Sequence, residues 1–174
     1  LGQFRLIAEN VIASDALTEG VTAAIAGAVS RPVDPELLRI VLQAIRERRR
    51  MSAFYVSLAS PDGKVRTIEP HAIVFDGFRW HTRAFCLTDE AFKDFLLSRI
   101  LEIRGSRESE VPSGHDGDWN TEVTLEIGPH PALSETQAKV IALDYGMRGG
   151  KAKIKVRRAL LYYALRRLGL DTDP

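Results

Sequence analysis

The chain has 174 residues, 45% of them hydrophobic, which is enough for one ordinary domain or two small ones with a real core. A formal net charge of +1 removes any general attraction to nucleic acid or acidic membranes, so a basic site has to be local. The single cysteine, Cys86, excludes an intramolecular disulfide and a zinc site built from several thiolates, and no apolar run approaches the roughly 20 residues that cross a bilayer.

With no basic-then-apolar leader, a cytoplasmic setting is the expected one. The start at Leu1 rather than Met reads as a fragment, and residues 1–33 read as a connector with some helix, rich in alanine and glycine. A helix begins clearly at "DPELLRIVLQAIRERRR", where Asp34 caps, Pro35 suits the first turn, and Leu37, Leu38, Val41, Leu42 and Ile45 share a face. The arginines Arg46, Arg48, Arg49 and Arg50 then fall in its last turn, where the helix dipole favours cations.

"MSAFYVSL" alternates as a strand does, "SPDGK" reads as a turn, and "VRTIE" and "HAIVFD" read as two short strands parted by Pro70. Asp76-Gly77 turns the chain into "FRWHTRAFCL". The segment "TDEAFKDFLLSRI" predicts a helix capped by Thr88, with Ala91, Phe92, Phe95 and Leu96 on one side. Short strands broken by one helix predict a strongly curved sheet or barrel, since a flat sheet of this size exposes its edges. Residues 105–120 have loop composition, and residues 121–174 read as a small β-α-β-α module with a helix capped by Ser134.

Strand periodicity puts Arg79, His81, Arg83 and Phe85 on one face and Trp80, Thr82, Ala84 and Cys86 on the other. If "AFYVSL" lies in the same curved sheet, Tyr55 and Ser57 can converge with His81 and Arg83 on an anion such as a phosphate. The competing reading is a solvent-facing strand whose charges keep it soluble. His71 at the head of a strand and Arg99 between apolar neighbours are further candidates, Arg99 needing a partner if it is buried. Ser57, His81 and Asp76 lack the GxSxG context of a triad, Glu69 and His71 lack further metal ligands, and "GMRGG" fails the phosphate-loop pattern. Catalysis, a cofactor and a metal are therefore not expected. In the second module Lys151, Lys153, Lys155 and Arg157 line one strand face, as nucleic-acid contacts or as a solvated edge. Trp119, Tyr162 and Tyr163 read as packing residues.

Through "FYVSL", "IEPHAIVFDGFRWHTRAF" and "FKDFLLSRI" the sequence resembles the WYL domain, a ligand-sensing module of bacterial transcription regulators, and the residues after it resemble its C-terminal extension, WCX. The likeness covers roughly residues 34–174 and is nearest to regulators of phage-defence systems, which place a winged helix-turn-helix upstream. The namesake Trp-Tyr-Leu stands here as Trp80, His81 and Thr82. The resemblance implies a mixed α+β chain: an Sm-like curved sheet or barrel with a leading helix over 34–104, a linker over 105–120, and a WCX-like module over 121–174. It also implies a basic pocket from Tyr55, Ser57, His71, His81, Arg83 and Arg99, with Arg66 and Arg79 as further candidates, reading a nucleotide or nucleic-acid fragment. Trp80 and Phe95 would be core residues, the partners a second copy and operator DNA, and the ligand would shift the dimer between DNA-competent and DNA-released states. The alternatives are a direct single-stranded nucleic-acid-binding module and a nucleotide hydrolase.

Overall fold

The computed structural model describes residues 33–108 and 110–170, so the expected connector lies almost wholly outside the described residues. Helix α1 (Pro35–Glu47) starts as its sequence dictates, with the Asp34 carboxylate accepting the Glu36 N–H at 2.9 Å and proline in the first turn. Leu37, Val41 and Ala44 are its buried residues. The helix ends at Arg48, whose left-handed backbone (φ 52°) returns its N–H to the carbonyls of Ala44 and Ile45. Arg49 and Arg50, expected in the last helical turn, instead open strand β1 (Arg49–Ser57).

β1 pairs with β2 (Ser60–Phe75), the register running from Met51 opposite Ile68 to Ser57 opposite Ser60. The turn thus precedes "SPDGK", which lies inside β2. Gly63 takes φ +77°, and a Cβ there would meet the Phe54 ring at 2.6 Å, so only glycine fits. The two strands expected around Pro70 are one, and a bulge between Pro70 and Ala72 accommodates the missing N–H. At the next turn the Asp76 carboxylate accepts the N–H groups of Phe78 and Arg79 at 2.8 and 2.7 Å and feeds the chain into β3 (Trp80–Cys86).

The helix expected over 88–100 is strand β4 (Ala91–Leu96), followed by one 3₁₀ turn, Leu97–Arg99, and strand β5 (Ile100–Glu108). The Phe92, Phe95 and Leu96 spacing suits a helix, but pairing with β3, from Cys86 opposite Ala91 to His81 opposite Leu96, decides the outcome. The five antiparallel strands run in the order β4-β3-β2-β1-β5. β4 and β5 stand at opposite ends of that order and share no ladder, so the sheet is neither closed nor curled. This corrects the expected Sm-like curved sheet or barrel: closure needs a β4–β5 ladder, and β5 crosses to pair with β1 instead. The chain remains mixed α+β. The core gathers α1 against β1, β2, β3 and the start of β5, around Val41, Met51, Ile68, Leu97 and Ile100.

Beyond β5 come a 3₁₀ turn (Ser113–His115), the short helix α2 (Gly117–Asn120), β6 (Glu122–Ile127), α3 (Glu135–Asp144), β7 (Ala152–Arg157) and α4 (Leu161–Arg167). β6 and β7 form a separate two-stranded sheet. Ser134 and Gln137 close a reciprocal capping box on α3.

Candidate functional site

β3 buries both of its faces. On the face expected to be cationic, His81 is 2% and Arg83 6% exposed, as enclosed as Thr82 and Ala84 opposite. A buried guanidinium needs charged partners. Arg83 finds two: its Nε and Nη2 donate to the Asp116 carboxylate at 2.8 and 3.1 Å, and its Nη1 lies 3.5 Å from Asp94. Asp116 is 1% exposed and also accepts from His71 Nε2 at 3.0 Å and from the Trp119 N–H at 3.1 Å, capping α2. His81 donates through Nε2 to Asp76 at 2.7 Å, beside Arg79 at 3.2 Å. The Tyr163 hydroxyl of α4 donates to Asp94 at 3.0 Å while its ring lies 4.8 Å from that of His81.

Burial works against the Asp116 carboxylate, but hydrogen bonds from Arg83 and Trp119 outweigh it and hold its pKa below the ordinary carboxylate range. Asp76 is likewise lowered, burial being outweighed by His81 and two backbone N–H groups. Burial lowers the pKa of His71 despite the neighbouring Asp116, so its neutral form is the favoured one. Burial, then the Asp94 charge, push the Tyr163 phenol far above its usual range. Among the described residues no buried side-chain nitrogen or oxygen lacks a partner.

His71 also lines a cleft of about 380 Å³, together with Arg48 at the end of α1, Glu69 and Phe92 of the sheet, and Glu110 to Gly114. Its size is within the range of small-molecule sites. Glu69 pins that last segment by accepting the N–H groups of Glu110 and Val111 at 3.1 and 2.7 Å. The stretch read as a plain linker thus carries the cleft wall and the acid behind it. From Asp116 the contacts continue: Trp119 stands edge-on to His71 at 5.5 Å, and the Arg157 guanidinium of β7 covers its ring at 4.7 Å and donates to its carbonyl at 2.6 Å.

The other anticipated residues lie apart. Tyr55 packs edge-on against Phe95 at 5.1 Å, and its hydroxyl accepts the Leu96 N–H at 3.3 Å. Ser57 accepts the Ser60 N–H within its hairpin. Arg66 pairs with Asp89 at 3.1 Å, and Arg99 sits half-buried in the 3₁₀ turn without an ion-pair partner among the described residues. Trp80 packs on Phe75 at 4.8 Å and Phe95 is buried in the core. Lys151 and Lys153 both reach Glu126, while Lys155 is exposed. The sequence reasoning missed Asp116 and Asp94. The one legible signal for Asp116 was its place before "GDWN" as a helix cap. Among the described residues no group of three or more His, Cys, Asp or Glu could hold a metal ion.

The described residues thus form two parts, an antiparallel five-stranded sheet with its helix and a small module without buried residues, joined by a segment held through Glu69 and Asp116. Comparison with known families agrees: residues 36–104 match the WYL domain, and residues 122–174 match the BrxR transcriptional regulator C-terminal dimerization domain. The chain therefore carries a WYL domain followed by a BrxR-type C-terminal dimerization domain. It is 40% identical over 145 residues to the DNA-binding transcriptional repressor CapW of Pseudomonas aeruginosa, covering 83% of this chain and 48% of the relative. To CapW of Escherichia coli (strain KTE188) it is 39% identical over 140 residues, covering 80% and 47%. The chain thus spans about half the length of these curated relatives. Among solved structures it is similar to the proteasome accessory factor PafBC of Arthrobacter aurescens, 21% identical with a TM-score of 0.43, covering 80% of this chain and 24% of that one. No described helix is long and apolar enough to cross a membrane.

Proposed function

We propose that this chain is the ligand-sensing and dimerization region of a bacterial DNA-binding repressor of the phage-defence type, controlled by an anionic ligand, a nucleotide or nucleic-acid fragment. The observation that carries the reading is the bidentate Arg83–Asp116 pair, which ties the sheet to the segment leading into the dimerization domain. Asp116 occupies the place that a ligand phosphate would take on Arg83. An anion entering past His71 competes with that carboxylate, releases the cap of α2 and loosens the Trp119–Arg157 contact on β7. The dimer then changes its DNA-binding state, and by linkage operator DNA changes ligand affinity by the same factor. The names of the CapW relatives support the DNA-binding and repressor parts of this proposal.

The test is calorimetric titration of short DNA and RNA oligonucleotides and of cyclic nucleotides into the wild-type chain, Asp116→Asn and Arg83→Lys. Competition predicts tighter binding to Asp116→Asn, whose neutral amide yields Arg83 more easily, and weaker binding to Arg83→Lys, which loses the bidentate fork. Equal affinity across all three, or no binding by any, overturns the reading.

A further inference from the structure

The arginine run that the helix was expected to absorb serves another purpose. Arg50 leaves α1 for β1 and stands directly opposite Arg107 of β5, a cross-strand pairing of like charges that a sheet ordinarily avoids. Two positions along and on the same strand face, Ser52 pairs with Arg104 of β5 on one side and Thr67 of β2 on the other. The bulge between Met51 and Ser52 skips Gly105, which takes φ +69° and has open space where a side chain would stand. These residues line a cleft of about 420 Å³, and no carboxylate lines it among the described residues. The cleft at His71 differs in this respect, since Glu69 and Glu110 line it.

The nearby acids are held outside. Arg50 reaches Glu110 at 2.9 Å and Arg104 reaches Glu102 at 2.7 Å, both glutamates being more than half exposed. Arg107 has no ion-pair partner among the described residues. The Arg104–Glu102 pair is exposed on both sides and therefore weak, and Glu110 is 71% exposed, so water takes up either carboxylate when an anion displaces it.

We infer that Arg50, Arg104 and Arg107, with the Ser52 and Thr67 hydroxyls, form a phosphate-binding site on the β1–β5 face, separate from the cleft at His71. Three guanidinium forks and two hydroxyls match the geometry and hydrogen-bond demand of a phosphate dianion or two adjacent phosphodiesters. The phosphate arrives on a free compound or in a nucleic-acid backbone. Glu110, the ion-pair partner of Arg50 outside this site, also lines the wall of the other cleft. Occupation here therefore frees one wall residue of the other cleft.

The experiment titrates inorganic pyrophosphate and, separately, a single-stranded DNA oligonucleotide into the chain at several salt concentrations, with Arg107→Glu, Arg104→Gln and the control Lys153→Glu. Arg107 is exposed on an edge strand, and circular dichroism checks that the variants fold. Binding weakened about tenfold or more by Arg107→Glu, lowered by Arg104→Gln and unchanged by Lys153→Glu supports the site. Pyrophosphate binding alone identifies a free phosphate compound. Oligonucleotide binding alone identifies a backbone, and Arg107→Glu then reduces the salt slope by at least about one. No binding of either probe, or binding indifferent to Arg107 and Arg104, overturns the proposal. Dependence on Arg83 and Asp116 instead assigns the ligand to the cleft at His71, so the two readings fail separately.

Discussion

Residues 35–108 and 117–167 use the same parts, short antiparallel strands and a few helices, yet bury them to opposite extents. Every member of the hydrophobic core cluster, from Leu37 to Ile100, lies in the first region. From Thr121 to Leu170 no residue is buried, and Val140, Leu143, Tyr145 and Tyr162 are 53–80% exposed. The first region, together with Asp116 of the connecting segment, buries His81 and Arg83 with their acids. The second presents apolar side chains that one copy cannot cover, as befits a module whose family is described as a dimerization domain. The first region's specificity therefore lies in charges it must keep paired, and the second's in a surface it must share.

The sharpest way to break that comparison is to unpair the enclosed charge. Asp116→Ala leaves Arg83 buried without its bidentate partner, and removing one member of a buried pair costs about 3–5 kcal/mol. Urea denaturation followed by circular dichroism measures it. A loss within the range of an exposed pair would mean that the sheet does not depend on this network. Replacing both partners, Arg83→Met with Asp116→Leu, is expected to recover part of the loss, because neither member of the bidentate pair is then stranded and Asp94 keeps the Tyr163 hydroxyl.

The second region is tested by association rather than by unfolding. Leu143 is 80% exposed on α3, so Leu143→Asp leaves the sheet's stability as it was. Within a dimer the new carboxylate loses water against an apolar partner. Sedimentation equilibrium is expected to show self-association weakened at least about tenfold, roughly 1.4 kcal/mol. Unchanged association would show that some other surface covers the module.

The same contrast explains what could be read from the sequence. Asp34 and Pro35 announced α1, and the alternation of β1 and β3 announced strands, because those signals are local. β4 was not legible: the apolar positions of "AFKDFL" keep the helical spacing, and only the pairing with Cys86 to His81 selects the strand. Nor was the open sheet, since whether two edge strands meet depends on how β5 crosses to β1. The stripe of Arg79, His81 and Arg83 was visible, with solvent or a ligand as its expected company. Its actual company, Asp116, lies 33 positions from Arg83 in a stretch of loop composition, beyond any periodic signal. The family was legible from ordered short motifs, each weak alone.

A smaller effect comes with pH. Burial holds the His71 pKa below its ordinary 6.5, so on acidification the unfolded chain takes the proton first. Stability fully present above pH 6.5 is then lost as pH falls through the folded-state value. Asp116 and Asp76, both held below 3.8, add a second loss only under that pH. Denaturation midpoints are expected to fall between about pH 7 and about pH 5, and His71→Gln, which keeps a donor for Asp116 without titrating, flattens that decline. A decline unchanged in His71→Gln would place the titrating group elsewhere.

The smallest effect belongs to β7. Lys153 stands 3.5 Å from Glu126 in a pair whose side chains are 69% and 41% exposed, so Lys153→Ala is expected to change stability by less than about 0.5 kcal/mol. High salt should leave even that difference unresolved, whereas the Asp116→Ala loss persists because salt does not reach a buried pair. A cost for Lys153→Ala comparable to that of Asp116→Ala, growing with protein concentration, would mean that a second copy covers this strand face. The second region's shared surface would then include the lysine stripe as well as α3.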